Sequence, residues 1–324
     1  MKREILLGLF LSFILLGCQK EDEVSPSFAD RNIYSVANDS DDELTQLRYR
    51  IYTERGVPIF YNDTIAKEER VDRNGNTYMH YDVIRIGYAI TSTSSSIRYV
   101  LPDDEGDVLE MVKFMDEYFL DLIPEGKCPL SYLLLDTISM VLNSGAGAVT
   151  ELKMDNYFEA MTTTCLGNIE RVKDMTVAEK RYYAKQLAAF KYVPSVLENT
   201  ENESYLLRFD SISFKTVTLP SATYMPYTLK YQSYGGYGNG NVYRTFPDAE
   251  LFGFVRYRFQ EGIRFFLPTK EQDRAAFIAL IWNYTDREIR EMYPVETYPA
   301  FIEKYELMVE MMKNAGVEKL IKQE

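Results

Sequence analysis

The chain has 324 residues, 46% hydrophobic and 26% charged, a balance that excludes a disordered polymer and allows one large domain or two smaller ones. Its 36 basic and 49 acidic side chains give a formal charge of −13, which excludes a general nucleic-acid binder, because phosphate binding depends on a basic surface. His80 is the sole histidine, so any mechanism that needs two imidazoles in one subunit is excluded as well.

Met1-Lys2-Arg3-Glu4 precedes an apolar run from Ile5 to Leu16, then Gly17 and Cys18. A basic start, a short apolar segment and a small residue before the cut predict a secretory signal peptide over residues 1–17, too short to span a bilayer comfortably. Leu15-Leu16-Gly17-Cys18 resembles the bacterial lipobox, which implies cleavage before Cys18 and a lipid anchor on its thiol. Gln19-Lys20-Glu21-Asp22-Glu23 resembles the export signal of Bacteroidota lipoproteins, which implies an outer-membrane protein facing the cell exterior; a plain acidic tether is the alternative. Residues 18–43 are polar and acidic, with Pro26 and the run Asp39-Ser40-Asp41-Asp42, and are expected to form a flexible tether ahead of a folded domain over 44–324.

Within that domain, Leu44 to Ile65 predicts a short helix, a turn at Arg55-Gly56 and a strand. Asn74-Gly75 is the pair favoured in tight hairpins, and Tyr78 to Ile90, which carries His80, reads as a strand. Asp107 is the expected cap of a helix whose stripe of Val108, Met111, Val112, Met115 and Phe119 runs up to Pro124 and Gly126. Tyr132 to Asp136 reads as a buried strand. Thr176-Val177-Ala178-Glu179 matches a capping box opening a helix to about Tyr192, with Pro194 as its stop. Towards the C-terminus, Phe277, Leu280, Ile281 and Tyr284 form one stripe, Thr285-Asp286-Arg287-Glu288 is a second capping box, and Phe301, Tyr305, Met308 and Met312 form another stripe ended by Gly316. The predicted class is α+β with a helical C-terminal part. Cys128 and Cys165 are free to pair or to stay reduced in an oxidising envelope.

Gly56-Val57-Pro58-Ile59-Phe60-Tyr61, Pro129 to Ile138, Phe252-Gly253-Phe254-Val255-Arg256-Tyr257 and the helices from Asp273 to Leu320 together resemble a family of Bacteroidota lipoproteins described as zinc-binding metallopeptidases. The resemblance implies a zincin-like mixed sheet and helices, with an H-E-x-x-H helix whose histidines hold zinc while the glutamate activates water. The matching stretch here is Lys185-Gln186-Leu187-Ala188-Ala189, so Lys185 and Ala189 replace the ligands and Gln186 replaces the base. Gln186 cannot accept a proton as a carboxylate does, and a protonated Lys185 repels a divalent cation. Ala275-Ala276-Phe277-Ile278-Ala279 stands where that family tends to carry acidic residues, removing a further ligand. An inactive domain without metal or cofactor is the expectation.

Glu110, Asp116, Asp155 and Glu159 are carboxylates that a glycosidase-like pair could use, and Gly145-Ala146-Gly147 lacks the lysine and spacing of a phosphate loop. Tyrosine, with 26 copies against one tryptophan, supplies most of the aromatic surface, and it concentrates among the glycines of residues 223–247. Tyr231, Tyr234, Tyr237 and Tyr243 are the ligand-contact candidates there, because tyrosine offers a rigid face and a hydroxyl at modest entropy cost. The lipoprotein class implies a binding or scaffolding accessory of a SusC/SusD-like uptake system, with a TonB-dependent transporter and its lid lipoprotein as partners and a glycan or peptide as ligand. A carboxylate-dependent hydrolase and a cell-surface adhesin are the rivals.

Overall fold

Asp42 accepts hydrogen bonds from the backbone N–H groups of Leu44 and Thr45 and so opens helix α1, Glu43–Arg55. Gly56, at φ +70°, closes it in the left-handed conformation that glycine reaches without strain. The chain continues into β1 (Ile59–Phe60) and the hairpin of β2 (Thr64–Val71) and β3 (Thr77–Val83). The expected Asn74-Gly75 turn joins the hairpin, with the Asp72 carboxylate accepting from the N–H groups of Asn74 and Asn76. β3 carries His80 but ends at Val83, short of the expected Ile90. The computed structural model describes residues 32–38, 41–86, 95–143, 149–153, 156–213, 217–218, 228–229, 237–239, 248–261 and 264–324. Cys18, the expected lipidation site, lies outside them.

β4 (Ser95–Val100) leads to α2 (Glu105–Phe114), which is continued by a π turn over Met115–Phe119 and a 3-10 turn over Leu120–Leu122. Its cap is Asp104, not the expected Asp107: Asp104 is the extended residue whose side chain accepts from Gly106 N–H, whereas Asp107 is already helical and pairs with Lys173 at 2.8 Å. β5 (Ser131–Leu134) is the expected buried strand, followed by β6 (Thr137–Asn143), β7 (Val149–Lys153), β8 (Tyr157–Glu159) and β9 (Thr163–Leu166). A four-stranded mixed sheet runs β1-β5-β9-β8, parallel except for β8, and β4-β6-β7 form an antiparallel sheet. Alternation along β5 sends Tyr132 and Leu134 into a large helical core and Leu133 into a smaller one with Phe60, Ile138 and Cys165.

Helix α3 (Val177–Glu198) opens with the expected Thr176–Glu179 capping box but runs through Pro194. Near a helix end proline forfeits one N–H bond, and the last turn is secured by buried Val196 and by Asn202, whose side-chain amide donates to the Val196 carbonyl at 3.0 Å. Next come α4 (Glu203–Ile212) and the short strands β10 (Val217–Thr218), β11 (Thr228–Leu229), β12 (Tyr237–Asn239), β13 (Phe259–Glu261) and β14 (Arg264–Phe266). The chain closes with α5 (Lys270–Asn283), α6 (Asp286–Met292) and α7 (Pro299–Asn314), the last ended by Gly316 at φ +68°. Capping boxes open α5 and α6, at Thr269–Gln272 and Thr285–Glu288.

Tyr34–Glu324 is one compact unit, so the fold begins earlier than the expected Leu44: Tyr34 meets Phe60 edge-on at 6.4 Å and Val36 is buried. The fold is α+β. Cys128 is exposed and Cys165 is buried; both thiols are free, and burial pushes Cys165 up to about 12. Among the described residues no helix is long and apolar enough to cross a membrane.

Candidate functional site

Polar and aromatic side chains gather in a cleft of about 540 Å³ between α3, the start of β8 and the loop after α5. Its floor is Tyr157 stacked on Phe190, ring centroids 4.1 Å apart and 10° from parallel. Tyr157 is fixed by donating to Glu159 at 3.1 Å, and buried Lys191 ties Glu159 (2.8 Å) to Thr164 (3.1 Å) beneath it. Helical spacing places Tyr182, Gln186 and Phe190 in one row along α3, facing the opening. Tyr284, just beyond α5, meets Tyr182 edge-on at 6.0 Å and forms the far wall.

Two arginines complete it. Arg171 comes from a 3-10 turn over Ile169–Asp174 and lies over the Tyr183 ring at 5.0 Å. Arg256 follows a 3-10 turn over Ala249–Phe252 and a glycine with no substitute: Gly253 has φ +75°, and a Cβ there would stand 3.1 Å from the Ala300 carbonyl and 3.1 Å from the Lys304 stem. Buried Phe254 nails this loop to α7, and Arg256 emerges exposed at the cleft. Among the described residues no carboxylate pairs with Arg171 or Arg256. Among the described residues one carboxylate lines the cleft, Glu179, and it is committed to the α3 cap: bonds from Thr176 hold it below its ordinary range, with Arg171 a lesser influence. Burial raises the Tyr157 and Tyr182 phenols, so both are neutral hydrogen-bond donors at ordinary pH.

A second compartment of about 180 Å³ adjoins the cleft and shares Tyr182, Gln186, Phe190, Arg256 and Tyr284 with it. Its remaining walls are mostly apolar, formed by Val255, Ala275, Ala276, Ala279, Leu280 and Met292. Tyr293 lies there too, its phenol pushed up to about 12 chiefly by burial.

Of the three replaced motif positions, Lys185, Gln186 and Ala189, Gln186 lines the cleft, next to Leu187 of the same stretch. Lys185 turns aside to donate to the Trp282 carbonyl at 3.0 Å and lies over that ring, and Ala189 is fully buried. Zinc does not fit this triplet, which offers an ammonium, an amide and a methyl group. Among the described residues no three His, Cys, Asp or Glu side chains are grouped to hold a metal ion. The candidate carboxylates each meet a different cation: Asp116 pairs with Arg50 at 2.7 Å, Glu110 lies 3.5 Å from Lys113, and Glu159 serves Lys191, while Asp155 lies outside the described residues. His80 faces Asp82 at 3.2 Å on the hairpin. Tyr231, Tyr234 and Tyr243 lie outside the described residues, as does the 145–147 glycine segment, and Tyr237 is placed only as the first residue of β12.

Sequence reasoning missed the cleft because its walls come from separate stretches of the chain, residues 156–190, Arg256 and Tyr284. The signal it passed over is the run Ala275-Ala276-Ala279, whose small side chains leave space. No protein-family model, curated protein or solved structure matches the chain.

Proposed function

We propose that the protein is a non-catalytic surface lipoprotein, anchored to the outer membrane through Cys18, that captures a nutrient in the cleft beside α3. In this reading it serves a SusC/SusD-like uptake system, handing its ligand to a TonB-dependent transporter with a lid lipoprotein. The observation that carries the proposal is the cleft's lining: two guanidinium groups without carboxylate partners, aromatic rings and a side-chain amide, which are groups for holding a ligand. A hydrolase of the two-carboxylate kind needs a pair about 5–9.5 Å apart, and among the described residues the cleft offers a single carboxylate, engaged as a helix cap. Zincin-like descent remains part of the proposal, supported by the mixed sheet, the long α3 and the resemblance of its Lys185-Gln186-Leu187-Ala188-Ala189 stretch.

The test has two halves. Cys18→Ser should release the chain from the outer-membrane fraction, and protease added to whole cells should digest the wild type; a protected protein contradicts surface display. The purified protein, titrated with peptide and glycan panels, should bind a ligand and return it unaltered. Stoichiometric zinc or steady product formation contradicts the non-catalytic reading. Tyr234→Ala and Tyr237→Ala should weaken capture if the tyrosine-glycine segment is a second contact.

A further inference from the structure

We propose that the cleft recognises the C-terminal end of a short peptide whose last side chain is apolar, with Arg256 taking the free carboxylate and the smaller compartment taking the side chain. The inference rests on the capture reading and names its ligand class.

The geometry that carries it is the junction of the two compartments. Arg256 and Gln186 line both, so a planar guanidinium and an amide stand where a ligand passes from the polar cleft into the apolar one. A peptide C-terminus has that layout: one carbon carries both the carboxylate and the side chain, and the preceding amide follows directly. A guanidinium matches a carboxylate with two parallel N–H donors, and Arg256 has no competing ion pair among the described residues. Gln186 and Asn156 can each donate to and accept from the peptide backbone. Val255, Ala276, Ala279, Leu280 and Met292 give the smaller compartment its apolar surface. At about 180 Å³ it is below the roughly 300–1,000 Å³ of a site for a whole drug-sized ligand, and suits one side chain.

Three other anions fit less well. A uronic acid carries a carboxylate, but its ring hydroxyls would meet Val255, Ala279 and Leu280 over most of the compartment's remaining wall, with Gln272 and the tyrosine hydroxyls the polar groups in reach. A long-chain fatty acid overfills the smaller compartment. A free amino acid brings an ammonium group, and the one carboxylate that lines the cleft among the described residues, Glu179, is already bonded to Thr176 at 2.8 Å and 2.7 Å. Arg171, further out and over Tyr183, is left to meet an acidic residue upstream in the peptide.

Isothermal titration of the full lipoprotein in detergent tests this with four probes: acetyl-Gly-Gly-Leu as the free acid, the same peptide as its C-terminal amide, acetyl-Gly-Gly-Asp, and trigalacturonate. The free acid should bind at least tenfold more tightly than the amide and than the aspartate peptide. Arg256→Gln should lose about tenfold for the free acid while leaving Tm unchanged, since Arg256 is exposed. Ala276→Leu, which fills the smaller compartment, should weaken the leucine peptide but spare acetyl-Gly-Gly-Gly, a fifth peptide used for this variant alone. Equal binding of acid and amide, or no effect of Arg256→Gln, overturns the inference. Trigalacturonate binding in place of the peptides overturns it and leaves the capture reading standing; silence from all four probes and from the wider glycan panel overturns both.

Discussion

Helix α5 separates two places where this acidic chain puts positive charge, and the two are built on opposite rules. On one side, Lys304 is fully buried, yet its ammonium donates to Asp273 at 2.5 Å and to Ser213 at 2.9 Å, with the rings of Phe209 and Phe254 at 4.3 and 4.7 Å. Next to it Arg274 forks onto both oxygens of Asp210, which Lys270 also reaches. On the other side, Arg171 and Arg256 approach the cleft with no carboxylate to meet them among the described residues. A buried cation has to be matched from within the chain, because desolvation costs more than an isolated charge can recover. A cation at the edge of an open cleft keeps its hydration and can be left unmatched until a ligand arrives. The contrast separates an ion-paired, buried network that serves stability from a pair of arginines that, on the proposed function, serves recognition.

The strongest way to break that contrast is Lys304→Met. It leaves Asp273 buried with its main cationic partner gone, and the expected loss is about 3–5 kcal/mol in urea unfolding. Adding Asp273→Leu should recover much of it, because a matched apolar pair removes the stranded charge; a single variant as stable as wild type contradicts the account. Gly253→Ala joins the two regions, since its Cβ would press on Ala300 and on the Lys304 stem. The left-handed backbone predicts a cost of about 1–3 kcal/mol, and displacement of Arg256 predicts weaker capture in the same titration. Tyr182→Ala should reduce ligand affinity about tenfold with little change in Tm, as expected for a half-exposed wall of the cleft.

The smallest expected effects lie at the helix caps. Thr285→Ala should cost about 1 kcal/mol by removing the hydroxyl that accepts from Glu288 N–H. Glu288 and Glu179 are both held below the ordinary carboxylate value by bonds from their caps, Thr285 and Thr176. The folded state therefore binds these protons less readily than the unfolded chain, so their stabilisation is present above about pH 4.5 and is lost as pH falls through the lowered values. Unfolding midpoints measured from pH 6 to pH 3 should decline less steeply in a Glu179→Gln/Glu288→Gln variant.

What was readable in the sequence follows from how local the cause is. Thr176–Glu179 and Thr285–Glu288 satisfy orphan N–H groups within four residues, and Gly75 meets a turn's backbone demand alone, so each announced its element. Pro194 misled because a proline is a stop only where tertiary contacts do not hold the next turn, and Asn202 supplies such a contact. The alternation of Tyr132, Leu133 and Leu134 marked a strand buried on both faces, but not its parallel neighbours, which come from Ile59–Phe60 and Thr163–Leu166. The cleft was unreadable for the same reason: Tyr157, Arg171, Arg256 and Tyr284 converge only after the sheet, α3 and α5 have packed. Alanines 275, 276 and 279 were legible as lost functional groups; their other meaning, empty volume beside Arg256, needed the fold.

The most direct measurement titrates the full-length protein with acetyl-Gly-Gly-Leu and then recovers the peptide for mass spectrometry. One saturable site per chain, with every peptide recovered intact, is the expected result. Cleaved peptide accumulating with time would contradict a protein built to hold without reacting.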